Sequence, residues 1–500
     1  MTSGTLLVTA PGDLDAAAVL AVADGAGVRL APALLDRVAR SRADTLSALA
    51  AGGPVYGVTT GMGSQADLGV GTADQTTYQG DLMLARAVGT APWLHHRAAR
   101  AAMATRLRTL LDPEVGISPE LVQALAGVLD ADLVPAVPAG GNGAAGEIIP
   151  LAHLGGFLAG RGEGLDASGG TCAADAVLTG AGLTPYVFGP KEGVAFLQGV
   201  PVATGQAVLL AEHGRRLAGQ QLAVAAAEIA LVRAPRSPYA AALARGDHAL
   251  GRVLTTLRDL VGDEPAPRML QAPVSFRVVG PALAHLLRSL AGLDEAVERA
   301  LAGVSTSPAL VDGRFLGTAG FDGFDLAASA DAVRVALLHV AEVGTARLHR
   351  LLDPRVTGLS RQLSPQPGRH AGLVAVHKLA VGLLHEARRQ SAPASLGASE
   401  TSLGQEDVQS FALEAAGAAH AAAAVLRDVT ACELVALHQA AMLDAVDGPP
   451  RGSETLRTVL HKAFAALPEE TADRSFGREV SVVRELLGVG WAHELLVTTP

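Results

Sequence analysis

The chain has 500 residues, a formal net charge of −10 at pH 7, 49% hydrophobic and 18% charged residues. That apolar fraction supports a large buried core and excludes a disordered chain. The acidic balance excludes the basic footprint that nucleic-acid binding requires.

The start, Met1-Thr2-Ser3-Gly4, lacks a basic segment, and Asp13 and Asp15 interrupt the residues after it, so no signal peptide is predicted. Strand patterns are few and short, as in Leu6-Leu7-Val8-Thr9. Residues 36–50 space their apolar side chains at three and four, which predicts a helix. Residues 203–231, 281–301, 327–352 and 410–443 read the same way. Aromatic residues make up only 3%, and a core of Ala, Leu and Val suits close-packed helices. Helices apolar on more than one face belong inside a bundle or between subunits. Gly/Pro-rich stretches fall at 51–71, 135–146, 264–274, 313–323 and 364–369. The uncharged stretch 193–211 is long enough to raise a membrane span, but Gln198, Pro201, Thr204 and Gln206 favour a buried segment. Two cysteines, Cys172 and Cys432, make no disulfide framework and fit a reducing compartment, so a cytoplasmic location is expected. Neither His95-His96 nor the pair His377 and His385 offers a metal set, and no metal is expected.

Two motifs point to chemistry. Residues 138–153 read Pro-Ala-Gly-Gly-Asn-Gly-Ala-Ala-Gly-Glu-Ile-Ile-Pro-Leu-Ala-His, and residues 56–63 read Tyr-Gly-Val-Thr-Thr-Gly-Met-Gly. A phenol with an ordinary pKa near ~10 serves as a base only where its anion is stabilised. Further motifs come in order along the chain: Tyr78-Gln79-Gly80-Asp81-Leu82-Met83-Leu84-Ala85-Arg86, Lys191-Glu192-Gly193-Val194-Ala195-Phe196-Leu197-Gln198-Gly199, Gln271-Ala272-Pro273-Val274-Ser275-Phe276-Arg277, Gly320-Phe321-Asp322-Gly323 and Gln405-Glu406-Asp407-Val408-Gln409-Ser410.

As an ordered set over roughly residues 50–430, these motifs resemble the aromatic amino-acid ammonia-lyases, the family of histidine, phenylalanine and tyrosine ammonia-lyases. The resemblance implies an all-α fold with a long central helical bundle and a smaller N-terminal region. Within one overall unit, residues 1–190 would carry the Tyr56 and 138–153 loops, and residues 191–500 the long helices. It implies a homotetramer with shared active sites: Tyr56, Ala144-Ala145-Gly146 and Gln198 from one chain, Arg277 and Phe321 from a second, Glu406 from a third.

In that family an Ala-Ser-Gly triplet cyclises into the electrophile methylidene-imidazolone (MIO). Here the triplet is Ala144-Ala145-Gly146, and Ala145 has no hydroxyl to lose, so no MIO or other cofactor is expected. The resemblance makes Tyr56 the base, Arg277 the holder of a substrate carboxylate, and Glu406 the third catalytic residue. It places Gly63, Asp81, Arg86, Gln198, Val274, Phe321, Asp322 and Gln405 around the substrate. Several of these depart from the family pattern. Arg86 replaces a selectivity-determining histidine, Gln198 a shorter carboxamide, Val274 a second tyrosine, and Gly320 an asparagine. Asp322 stands where the family has His or Gln.

Other roles are open for some of these residues. Arg86 pairs with Asp81 or binds a ligand, Asp322 caps a helix or faces a ligand, and His153 buttresses the loop. The expected function is a lyase-family enzyme without MIO, acting on a small carboxylate-bearing, amino-acid-derived molecule by Tyr56 proton abstraction, in an elimination, isomerisation or cyclisation. The alternative is a non-catalytic homologue that binds a small molecule or a partner subunit. Neither nucleic acid nor membrane is an expected partner.

Overall fold

Alanine and leucine at helical spacing fold as helices in the computed structural model, which describes residues 4–166, 168–263, 266–397, 399–444 and 451–496. The expected helices are present, with ends displaced by up to four residues. Residues 36–50 lie within Pro32–Ala50, where Pro32 occupies the first turn, the position its fixed φ suits. The other long helices run Pro201–Leu231, Val279–Ala302, Phe324–Leu351 and Ala412–Asp444. Residues 1–3 and the opening of the 264–274 stretch, 264–265, lie outside the described residues.

Two compact units are interleaved along the chain. The first comprises Met1–Leu209, Leu293–Asp331 and Pro393–Gly417, and the second Leu210–Gly292, Ala332–Ala392 and Ala418–Pro500. No single cut in the sequence reproduces this division.

The first unit opens with the parallel pair Thr5–Val8 and Gly27–Leu30, in register Thr5 to Gly27. Asp15 caps the intervening helix Ala16–Ala23 by accepting from the Ala18 amide at 2.8 Å. The helix His96–Leu110 is buried along nearly all its length. It carries Arg100, which is 1% exposed because its guanidinium is fully used. Arg100 donates to the carbonyls of Val22, Ala26 and Leu129 at 2.7, 2.8 and 2.9 Å, and to Asp132 at 2.7 Å. A small antiparallel sheet, Val134–Pro135, Glu163–Leu165 and Thr171–Ala173, flanks the helix Ile148–Leu158 in sequence.

The second unit includes the helices His248–Val261, Val374–Arg389, Glu454–Phe464 and Phe476–Gly488. Its core holds an ionic cluster. Arg347 bonds Glu228 through Nε, and bonds Glu433 at 2.8 Å and the Gln221 carbonyl at 2.7 Å through Nη2. Gln221 in turn donates to Glu433 at 2.5 Å and to Thr430 at 2.8 Å. Position 344 admits only glycine beside this cluster, since a Cβ there would come within 2.6 Å of Glu433 Oε2. One helical stretch, Glu192–Leu231, is long and apolar enough to cross a membrane, with mean hydropathy 1.6, and that window is wholly buried inside the protein.

Candidate active site

A cavity of about 560 Å³ in the first unit gathers Tyr56, Tyr78, Asp81, Arg86, Ser402 and Glu406 against Gly143 and Ala144. The local backbone explains why these side chains meet. Gly57 takes φ +68, and a Cβ there would lie 2.7 Å from Val194. The Gln79 carboxamide then fastens the turn, donating to the Gly57 carbonyl at 2.8 Å and accepting from the Val194 amide at 2.9 Å. One buried glutamine thus ties three of the sequence motifs together. The Tyr56 hydroxyl accepts from the Gly63 amide at 2.8 Å. Gly63 itself has φ +60 and faces Ser402 across the cavity.

The 138–147 loop is held from within and from outside. Asn142, 4% exposed, donates through Nδ2 to the Gly146 carbonyl at 2.6 Å and accepts from the Ile149 amide at 3.3 Å. Its own amide donates to Glu414 at 3.0 Å. The Ala145 amide donates to Glu406 Oε2 at 2.8 Å, and Ser402 donates to Glu406 Oε1 at 2.9 Å. Ser402 and Leu403 both hold left-handed backbone (φ +53 and +54), strain that aims this turn at the loop. Glu147 accepts from the Val202 and Ala203 amides, each at 2.6 Å, and so caps the helix Pro201–Leu231. Burial pushes its carboxyl up to about 8, against the pull of those two amides.

Tyr78 is half-buried, and loss of water raises its phenol above the ordinary range, while Arg86 pulls the other way. Arg86 has no carboxylate partner among the described residues. Asp81 pairs instead with Arg161 at 3.5 Å, which answers the question of an Asp81–Arg86 pair.

The sequence profile of the aromatic amino acid lyases matches residues 14–465. The chain belongs to that family. It is 30% identical over 493 residues to a histidine ammonia-lyase of Anaeromyxobacter dehalogenans, covering 94% of this chain and 96% of that one. Its fold matches tyrosine aminomutase from Streptomyces globisporus (TM-score 0.91, 24% identity, 99% and 97% coverage). It matches ergothionase, an ergothioneine-degrading enzyme of Treponema denticola, equally well (TM-score 0.91, 21% identity, 99% and 100% coverage). The all-helical lyase fold expected from the motifs is therefore the fold of this chain.

Within that fold, several site residues sit differently from expectation. Glu406, expected from a neighbouring subunit, reaches Ala145 of its own chain, because residues 393–417 pack in the same unit as the loop. Phe321 is in that unit too, its carbonyl 3.0 Å from where a Cβ on Gly146 would stand. Gln198 does not line the cavity. Its carboxamide is taken up by residues 306–307, donating to the Ser307 carbonyl and accepting from the Ser307 amide at 2.5 Å. Asp322 accepts from the Phe324 amide at 3.0 Å, the capping role. His153 accepts from the Gly89 amide at 3.0 Å and packs on Trp93, so it supports residues 89–93 rather than the 144–146 backbone.

Gln405 and Val274 are exposed. Arg277 ends the short helix Val274–Arg277 in the second unit, half-buried, with its Nε unpaired. Among the described residues no group of three His, Cys, Asp or Glu is placed to hold a metal. Sequence reasoning passed over Tyr78, Asn142 and Ser402. The signal for Tyr78 was its place at the head of the 78–86 motif, directly before Gln79.

Proposed function

We propose that this chain is an MIO-independent lyase acting on a small, carboxylate-bearing, amino-acid-derived substrate. The observation that carries the reading is the cavity itself. It keeps the Tyr56 hydroxyl, Arg86 and Glu406 beside residues 143–145, where Ala145 replaces the serine whose hydroxyl MIO formation expels. The triplet does not fit the group, since a methyl side chain has nothing to eliminate.

Tyr56 removes a proton from the substrate, in an elimination the one on the carbon next to that bearing the leaving group. Arg86 faces an anionic or carbonyl group, and Arg277, supplied by a neighbouring subunit of a homotetramer, holds the carboxylate. Without an electrophile to activate an amine, the leaving group must be good already, or the substrate must supply its own acidity by conjugation. Elimination, isomerisation and cyclisation all meet these terms. A cytoplasmic location accords with two free thiols, Cys172 and Cys432. The alternative is a non-catalytic homologue that binds a small molecule or a partner subunit, a reading the missing serine favours.

The test compares ammonia release from L-histidine, L-phenylalanine and L-tyrosine with elimination from 2-trimethylammonio and 2-hydroxy acids bearing the same side chains. We expect no ammonia from the amino acids and an unsaturated acid from at least one of the others. Tyr56→Phe should lower that rate about 10²–10⁴-fold. Ammonia released at a rate lost on Tyr56→Phe sinks MIO independence, and binding without turnover favours the alternative.

A further inference from the structure

Tyr78 shares the cavity with Tyr56, and Met62 and Gly63, successive residues of one turn, line it beside them. Gly63 donates to the Tyr56 oxygen at 2.8 Å, and the preceding Met62, which lines the same cavity, has its backbone near enough to the Tyr78 hydroxyl to favour the phenolate. An amide donating to a phenol oxygen occupies an acceptor site and leaves the O–H free to point elsewhere. No protein acceptor takes the Tyr78 proton among the described residues, and the cavity is where it is free to go. Arg86, without a carboxylate partner, lines the same cavity and bears on the Tyr78 oxygen electrostatically.

We propose that Tyr78 is the general acid of this site, protonating a leaving group that departs through oxygen, and so compensating for the electrophile the Ala145 triplet lacks. This rests on the lyase reading above and narrows its substrate class to acids with a hydroxyl, ether or ester oxygen as leaving group. In this step the Tyr56 phenolate takes the proton from carbon, and the C–H electron pair becomes the new C=C bond. The C–O bond breaks with its pair on oxygen, and the Tyr78 proton moves to that oxygen. Tyr56 ends protonated and Tyr78 ends as a phenolate, stabilised by Arg86 and the Met62 backbone. Exchange with water returns both to their starting forms. Burial that holds the Tyr78 phenol above the ordinary range keeps it protonated at neutral pH, as a donor must be.

The experiment uses two probes with the same side chain, a 2-hydroxy acid, whose oxygen needs a proton to leave, and the 2-trimethylammonio acid, whose neutral amine does not. In Tyr78→Phe the rate on the hydroxy acid, taken relative to the trimethylammonio acid, should fall about 10²-fold or more. In Tyr56→Phe both rates should fall together. Equal loss on both probes in Tyr78→Phe makes Tyr78 a binding or structural residue and overturns the proposal, while the Tyr56 reading stands. No turnover of the hydroxy acid by the parent enzyme also overturns it, and no turnover of either probe sinks the lyase reading with it. Independently of any substrate, the ultraviolet tyrosinate difference spectrum of Tyr78→Phe against the parent must show Tyr78 protonated at neutral pH. A Tyr78 already ionised there overturns the proposal outright.

Discussion

The ionic core of the second unit and the cavity of the first both take charged and phenolic groups out of bulk water, with opposite accounting of partners. Arg347, Glu228 and Glu433 are 0–1% exposed, and the guanidinium meets two carboxylates and a carboxamide. Burial pushes both carboxyls upward, and repulsion from Glu433 adds to it at Glu228, so this pair favours holding a proton between them. In the cavity, Arg86 has no carboxylate partner among the described residues, the Tyr56 oxygen is held by the Gly63 amide, and Tyr78 stands beside them around a space of about 560 Å³. A cluster that satisfies itself specifies packing. A cluster left incomplete around a cavity is the arrangement the proposed function needs, since its polar groups keep capacity for a substrate.

The comparison breaks most readily at the two arginines. Arg347→Met leaves two buried carboxyls without their cation, and removing one partner of a buried pair costs about 3–5 kcal/mol. Arg86→Met removes a side chain with no carboxylate partner among the described residues, and stability should stay within about 0.5 kcal/mol. Denaturant midpoints of the two variants measure both. Equal destabilisation would mean that Arg86 is a structural residue and that the cavity is part of the packing.

A smaller effect separates the two regions by pH. His438 in the second unit is 4% exposed, packs against Phe464 at 5.0 Å, and leaves its Nδ1 unpaired. Burial first, then the Arg474 charge, holds it down at about 4 from the usual 6.5. The folded state refuses a proton that the unfolded chain accepts. Its contribution is therefore complete above pH 6.5 and is lost as pH falls towards 4. About 2 kcal/mol is at stake after allowing for partial solvent screening. Replacing His438 with Phe should flatten the acid-side decline in stability, read as denaturant midpoints at the two ends of that range. An unchanged slope would assign the decline to other groups.

Legibility in the sequence tracks how each feature is encoded. Long helices were readable because Ala and Leu recur at helical spacing, and their ends were off by a few residues because caps such as Glu147 on Val202 come from distant sequence. The motif order disclosed the family and the Tyr56 and Ala145 positions. The interleaved units were not legible, since their boundaries fall mostly inside long helices with no change of composition. Gln198 and Glu406 were misjudged for one reason: a motif gives a residue's place in the chain but not the partner its polar atoms meet. Gln198 spends its amide on Ser307, and Glu406 folds back onto Ala145. Tyr78 was overlooked because a phenol inside a helical motif reads as packing until its oxygen is seen beside Met62.

Asp322 sets the finest edge between packing and ligand binding. The family resemblance puts it at the substrate, yet its Oδ1 accepts from the Phe324 amide at 3.0 Å, the first residue of the helix Phe324–Leu351. That helix leaves its first amides without intrahelical partners, and a carboxylate there satisfies one of them and complements the helix dipole. The Asp322 carbonyl is engaged as well, accepting from the Ser410 hydroxyl, so the residue is fixed at both ends of its peptide unit. Asp322→Ala should therefore cost about 1 kcal/mol of stability, the ordinary value of a lost cap, while Asp322→Asn should recover most of it because the amide oxygen still accepts. Turnover of whichever probe the enzyme accepts should be unchanged in both variants. A fall in turnover in Asp322→Asn at parental stability would move Asp322 from the helix to the substrate, and the carboxylate would join Arg86 among the groups proposed to meet it.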